Sequence, residues 1–565
     1  MTSFYEQKPW LKNYPSWVPP FLEVPQENMV QVLKRAVTRR GAQPAVYYFG
    51  RPISYEEVDK GSDSLAAALQ DLGLQKRERV VFYMQNIPQF VIAQYAVWKA
   101  GGIVVPLNPM FKEKELEYYF RDSGAKMLIT LGSTYEAVGK NVVTQMNIGP
   151  VITTSGLEFL PPAEPIPKVL LEEKSKKFPE TLDFLELLKK YDGQTPHPVE
   201  VAPQEPAYFT YTSGTTGPPK GAMNTHENVV FNAMLYTVFQ KLNDEDVVLG
   251  VAPLFHVTGQ VAHLACAAYA GIPVILFFRF DPEETLKLVE RWKATMTVGS
   301  ITVFISLMNH PEMKKRDFSS MKKVFSGGAP VSPAIVESFE KICGAYIHNI
   351  YGLTETNSPS HFTPLGTRLP VDPVTGALSV GLPAPNTIAK IMDTETGGKE
   401  LPPGEVGEIV IKGPMVIPGY WNKPEETAHA IRDGWLYTGD VGKMDENGWF
   451  YVVDRKKDLI IVSGYKVWPR DVEDVLYQHP AVKEAAVIGV PDSYRGETVK
   501  AFVAVKDHFQ NKVSQQELIE FCKERMAAYK YPRIVEIVQE IPKTVTGKFL
   551  RRTLREQEVS KGRKY

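Results

Sequence analysis

The sequence predicts an α/β protein in two unequal parts, a large N-terminal portion and a small α+β unit at the C-terminal end. Three observations carry that reading. Apolar runs such as Arg79 to Met84 and Lys126 to Thr130 alternate with helical patterns such as Phe90 to Ala100, the order produced by parallel strands and crossover helices. From about Ala377 to Val453 the texture changes to short strands and turns, with Pro402-Pro403-Gly404 and Asp445-Glu446-Asn447-Gly448, as in a small antiparallel, barrel-like subdomain. A chain of 565 residues also exceeds what one hydrophobic core supports.

Taken in order, residues 157 to 207 are rich in Pro, Glu and Lys, with one helical piece near Thr181 to Lys190, and read as an exposed connection. Between Val247 and Phe278 there is no Asp, Glu, Lys or Arg, long enough to suggest a membrane span. Pro253, Gly259, Gly271 and Pro273 break that run, and His256 and His263 interrupt it, so a buried strand and helix pair is expected. After Asp458 a compact unit follows, with helices over Val472 to Tyr477 and Gln515 to Met526 and strands over Lys483 to Val490 and Thr498 to Val505. The domains expected are 1–457 and 458–565.

Composition narrows the partners. With 64 basic against 65 acidic residues, neither a nucleic-acid surface nor a polybasic membrane anchor is indicated. Cys266, Cys343 and Cys522 form no C-x-x-C pair and the ten histidines show no ligand spacing, so no disulfide framework or structural zinc is expected. Residues 1 to 25 carry charges and prolines in place of an apolar signal segment, and the end lacks Ser-Lys-Leu. A cytoplasmic location is expected.

Hydroxyls, glycines and one lysine crowd Tyr211-Thr212-Ser213-Gly214-Thr215-Thr216-Gly217-Pro218-Pro219-Lys220-Gly221. Glycines let backbone N–H groups approach an anion, hydroxyls donate further bonds and Lys220 adds a point charge, so the segment reads as a phosphate cradle. It departs from a Walker loop, because Lys220 stands three after Gly217 and is followed by Gly221. Five more segments follow: Ser326-Gly327-Gly328-Ala329-Pro330, Tyr351-Gly352-Leu353-Thr354-Glu355-Thr356, Gly434-Trp435-Leu436-Tyr437-Thr438-Gly439-Asp440, Asp454-Arg455-Lys456-Lys457-Asp458 and Pro542-Lys543-Thr544-Val545-Thr546-Gly547-Lys548. In these motifs and their order the chain resembles the adenylate-forming superfamily of acyl-CoA synthetases, luciferases and peptide-synthetase adenylation domains. Val105-Pro106-Leu107-Asn108-Pro109 and its surroundings look most like bacterial-type long-chain fatty-acid CoA ligases. The implied fold is a large N-terminal domain of two doubly wound α/β subdomains plus a small β-barrel, with a small mobile α+β C-terminal domain.

The resemblance also implies roles. Thr212, Ser213, Gly214, Thr215, Thr216, Gly217 and Lys220 would hold the departing phosphates, and Glu355 with Thr215 would bind Mg²⁺ through hard oxygens. Asp440 would accept both ribose hydroxyls, with Arg455 beside it, and Gly328, Ala329, Pro330, Asn349, Tyr351, Gly352 and Thr354 would complete the ATP site. Gly-Gly-Ala-Pro is also an ordinary turn after the strand Lys323-Val324-Phe325. Lys548 would be the catalytic lysine between carboxylate and α-phosphate, with Lys220 assisting, and Lys457 the hinge. Gly464, Tyr465 and Lys466 would meet the pantetheine arm of coenzyme A. Where several relatives carry a lysine just after the hinge segment, this chain has Ile461-Val462.

The acyl pocket is expected at His256, Gly259, Gly299, Ser300 and Gly327, an apolar wall with no cation for an amino acid's second charge and small residues that leave room for a tail. Gln260 stands where such relatives can place a tryptophan gate. The expected activity is fatty acid plus ATP and CoA to acyl-CoA, AMP and pyrophosphate through acyl-AMP, with domain rotation between half-reactions. A ligase for aromatic or short acids, an acyl-AMP donor to a carrier protein, and a non-catalytic binding protein that kept the fold remain the alternatives. The partners expected are a carboxylic acid, ATP and CoA, with no nucleic acid and no transmembrane segment. Peripheral membrane contact and a homodimer are left open.

Overall fold

The computed structural model describes residues 3–162, 164–212, 218–394, 398–455, 458–463, 465–492, 495–544 and 549–562, with backbone alone for Asp454, Arg455 and Lys466. Two seven-stranded sheets dominate. The first runs Leu182–Asp183, Val151–Thr154, Met127–Leu131, Arg79–Tyr83, Ile103–Leu107, Pro206–Tyr211, Gly221–Thr225, parallel throughout except the last pair. The second runs Ile347–Asn349, Lys323–Ser326, Met296–Gly299, Val248–Leu249, Val274–Leu276, Pro44–Tyr48, Arg51–Ser54, with the same single antiparallel pair at one edge. Continuous Val, Ile and Leu runs suit such strands, because both faces are covered by helices.

The helices Pro88–Lys99 and His226–Phe239 are apolar nearly all round, and their burial places them in the core that the two sheets share. The run 247–278 is equally buried. It supplies two neighbouring strands of the second sheet and, over Thr258–Ala265 and Cys266–Ala270, a helix that starts as a π-helix. Among the described residues no helix is long and apolar enough to cross a membrane. The connection 157–207 is less exposed than its composition predicts. Leu182–Asp183 extends the first sheet, and Val169, Leu170, Phe178 and Phe184 are buried, so apolar residues scattered through a charged stretch pin it down.

After Asn349 the chain turns antiparallel. Ile388–Met392, Gly407–Lys412 and Trp435–Met444 pair in order, and both Ile431–Arg432 and Phe450–Arg455 pair with the last of these. A bridge from Gly381 to Phe450 ties this sheet to a three-stranded one over 351–383, and Tyr5 and Trp10 from the N-terminal segment pack into its core. Strands Ile460–Val462, Tyr465–Val467, Val482–Asp492, Gly496–Val505 and Ile534–Val538 form a separate sheet with its own core. Helix Pro469–Tyr477 starts three residues earlier than the periodicity predicts, with Pro469 in its first turn, and Gln515–Lys523 stops three earlier. Arg470 fastens this unit to the larger one, donating to the carbonyls of Val452 at 2.5 Å and Val331 at 3.3 Å.

Candidate active site

In the first sheet the chain lays Arg79–Tyr83, steps to Ile103–Leu107 on one side, then to Met127–Leu131 on the other. The second sheet repeats this with Val248–Leu249, Val274–Leu276 and Met296–Gly299. Such reversals open a crevice at the carboxyl ends of the strands, the usual place for a ligand in parallel sheets. Asn86 joins the two reversals: its amide donates to the Ala252 carbonyl at 3.0 Å, its side-chain oxygen accepts from Leu254 N–H at 2.9 Å, and its backbone bridges Phe278. A cavity of about 1760 Å³ opens there, reached by Asn108, Thr212 and His256 after strands of both sheets.

The end of the cavity where the sequence places the nucleotide is built from the turn after Asn349. Gly328, Ala329, Pro330, Asn349, Tyr351, Gly352, Thr354, Glu355 and Asp440 all line the cavity, so the structure brings these sequence-derived residues together. Gly352 is required by backbone crowding, since a Cβ there would meet the Ser358 carbonyl oxygen at 2.0 Å. Asp440 is buried at 7% exposure and accepts from the Tyr351 hydroxyl at 2.9 Å. The Asn349 amide donates to the Ser379 carbonyl at 3.0 Å, so its side chain is partly engaged within the protein.

The phosphate end has Thr212 and Lys220 on the cavity wall, paired through Thr212 N–H and the Lys220 carbonyl at 3.0 Å. Ser213, Gly214, Thr215, Thr216 and Gly217 lie outside the described residues. Glu355 is held by its surroundings rather than by its own turn. Tyr420 donates to its Oε1 at 2.7 Å, and Ile417 N–H donates to its carbonyl at 3.0 Å. Asparagines just downstream of the cradle brace the same turn. Asn224 donates to the Thr354 carbonyl at 3.0 Å, Asn232 to those of Thr356 and Asn357 at 2.7 and 2.6 Å, and Asn228 to that of Pro414 at 2.7 Å. Buried side-chain amides of this kind tie backbone that no sheet satisfies.

The acyl end differs more from expectation. His256 lines the cavity, its Nδ1 accepting from Thr258 N–H at 3.2 Å. Gly259, Gly299, Ser300 and Gly327 do not line it, whereas the neighbouring Ile301 and Thr302 do. Packing fills the room that small residues seemed to leave. A Cβ would meet the Pro253 carbonyl at 2.2 Å from Gly259, Val251 at 3.1 Å from Gly299 and Ile350 at 2.9 Å from Gly327. His263 is fully buried with Nε2 3.0 Å from the Val298 carbonyl, and burial lowers it to about 4, so at neutral pH it donates there as an uncharged imidazole. Among the described residues no group of three or more His, Cys, Asp or Glu could hold a metal.

From the small unit, Lys543, Thr544, Phe549 and Leu550 line the cavity, on either side of Lys548, which itself lies outside the described residues. Lys457, Gly464 and the side chains of Arg455 and Lys466 lie outside them too. Tyr465 is 58% exposed, stacks on Tyr529 at 4.7 Å and does not line the cavity. Sequence reasoning missed Tyr420, Glu408, Arg432, Arg470 and Asp474, all on the wall. Tyr420 sits in Pro418-Gly419-Tyr420-Trp421, whose turn texture hid one buried and one half-buried ring, and the others carry no motif.

Comparison with known proteins then bears on this geometry. The sequence model for the AMP-binding enzyme family matches residues 33–421, and that for the AMP-binding enzyme C-terminal domain matches 471–548. A long-chain-fatty-acid–CoA ligase of Bacillus subtilis (strain 168) is 40% identical over 566 residues, covering 98% of each chain. One of Escherichia coli O6:H1 is 35% identical over 568 residues, covering 98% of this chain and 99% of its own. Among solved structures, an anthranilate CoA ligase in complex with anthranoyl-AMP superposes with a TM-score of 0.85 at 25% identity, over 96% of this chain and 99% of its own.

Proposed function

This chain belongs to the AMP-binding enzyme family, and from that premise we propose that it joins a fatty acid to coenzyme A through a fatty acyl-AMP. It is an ATP-dependent acyl-CoA ligase. The observation that carries the mechanism is the convergence of Lys220, Glu355 and Asp440, from three distant stretches of chain, on one cavity.

The reaction asks a carboxylate, a poor nucleophile, to attack the α-phosphorus of ATP and expel pyrophosphate, so negative charge must be neutralised where it gathers. Lys220 and the cradle 212–220 hold the β and γ phosphates, and Asp440 fixes the ribose through its two acceptor oxygens. Lys548, carried by a segment whose flanks reach the wall, bridges the acid and the α-phosphate as that bond forms. Glu355, with the Thr215 hydroxyl, would hold a magnesium ion through hard oxygens, since Tyr420 takes only one of the two oxygens of the Glu355 carboxylate. Bound there, the ion would offset charge on the leaving pyrophosphate.

The adenylate then passes to the thiol of CoA once the small domain, 458–565, turns about Lys457 and brings Gly464, Tyr465 and Lys466 to the site. The fatty-acid assignment is supported by the names of the two bacterial relatives and by the apolar Phe255, Ile301 and Ile335 on the wall. The superposition on an anthranilate ligase favours the aromatic alternative. Three buried free thiols agree with a cytoplasmic location. A CoA-consumption assay over acids from acetate to oleate, with benzoate and anthranilate included, decides the substrate: turnover rising with chain length supports the proposal, and a maximum at an aromatic acid refutes it.

A further inference from the structure

Tyr420 stands where the phosphate loop and the Glu355 turn meet. It is 8% exposed, its hydroxyl donates to Glu355 Oε1 at 2.7 Å, and the Lys220 ammonium lies 5.2 Å from the centroid of its ring. Backbone pairing fixes the ring in that place. Tyr420 bridges Ala222, Met223 N–H donates to the Gly419 carbonyl at 3.1 Å, and Trp421 N–H donates to the Gly221 carbonyl at 2.8 Å. The segment 419–421 is thereby tied to the strand that begins immediately after Lys220.

Lys220 and Glu355 carry opposite charges on one wall, and an ion pair between them would consume both the charge meant for phosphate and the carboxylate meant for metal. Among the described residues no such pair forms. We propose that Tyr420 is the positioning residue that keeps Lys220 and Glu355 apart and aimed, its ring holding the ammonium and its hydroxyl holding one carboxylate oxygen, a role that rests on the assignment of those two residues to phosphate and magnesium. The face of the ring attracts the cation without neutralising it, which leaves Lys220 available to a phosphate.

The test uses the full chain with Tyr420→Phe and Tyr420→Leu. Adenylate formation is followed by pyrophosphate release against free Mg²⁺ at saturating ATP. Thioester formation is followed separately from supplied acyl-AMP, and ATP binding is measured by calorimetry in EDTA. Tyr420→Phe keeps the ring and loses the hydroxyl, so half-saturating Mg²⁺ should rise roughly tenfold while metal-free ATP affinity and the thioester step stay near wild type. Tyr420→Leu should also weaken metal-free ATP binding several-fold, as Lys220 moves onto Glu355. Glu355→Gln separates the premises. If it shifts the Mg²⁺ dependence and Tyr420→Phe does not, the inference falls alone. If Glu355→Gln leaves that dependence unchanged, the metal assignment falls and takes the inference with it. Equal losses in both half-reactions for Tyr420→Phe mean a merely structural ring and also overturn it.

Discussion

In the proposed mechanism single side chains act through charge placed where charge develops. Lys548→Ala should lower acyl-AMP formation by roughly 10²- to 10³-fold, as expected for one lost transition-state contact, and leave thioester formation from supplied acyl-AMP largely intact. Equal loss in both steps would contradict the assignment. Asp440 has a second duty that its motif does not announce, because it accepts from the buried Tyr351 hydroxyl at 2.9 Å. Asp440→Ala should therefore weaken ATP binding more than tenfold by calorimetry and also destabilise the protein by about 1–3 kcal/mol, since a buried hydroxyl loses an acceptor. Tyr351→Phe combined with Asp440→Ala should recover part of the stability and none of the affinity. If ATP binds the single variant as tightly as wild type, Asp440 does not hold the ribose.

Among the elements, helix Pro469–Tyr477 carries the arginine that fastens the small unit to the large one. Arg470 leaves it for the Val452 and Val331 carbonyls, and Lys530 and Arg551 pin its Asp471 and Glu473 at 2.7 and 2.8 Å. Asp474, one turn on, has Arg470 Nε at 3.5 Å beside it, and among the described residues its Oδ2 finds no hydrogen-bond partner. Burial raises it to about 7 from 3.8; Arg470 pulls it back, while Glu473 and Asp471 push it further up. A folded value above the unfolded one means the fold favours the neutral acid. The stabilisation is full below about 4 and is lost as pH rises toward about 7. Thermal melts of wild type and Asp474→Asn across that window should diverge, the wild type losing ground to the variant with rising pH. A constant difference at every pH would show that Asp474 does not titrate there.

At the scale of the whole molecule, the proposed mechanism has one cavity serve two reactions in turn, which would make the domain arrangement part of it. In this arrangement the flanks of Lys548 line the wall and Tyr465 does not, which is the disposition the proposed adenylation step calls for. Lys457→Pro tests the rotation. Proline fixes φ near −65°, so a pivot that must adopt two backbone conformations becomes biased toward one. Pyrophosphate release should persist while transfer to CoA falls by orders of magnitude. If both rates survive in one preparation, the pivot lies elsewhere.

By itself the sequence determined the fold class, the division into a large and a small part, and the family. Apolar period, turn residues and motif spacing are local properties, and Gly352 or Asp440 is recognisable without its neighbours. Only the tertiary structure decided what those residues lean on. The asparagines 224, 228 and 232 carry no motif in the sequence, and their bonds to 354–357 and 414–416 exist only once that strand and helix are folded against those segments. Gly259, Gly299 and Gly327 read as open space until Pro253, Val251 and Ile350 are packed against them. Room in a folded protein belongs to the set of side chains that surround it, whereas a glycine in the sequence records only what is missing at one position.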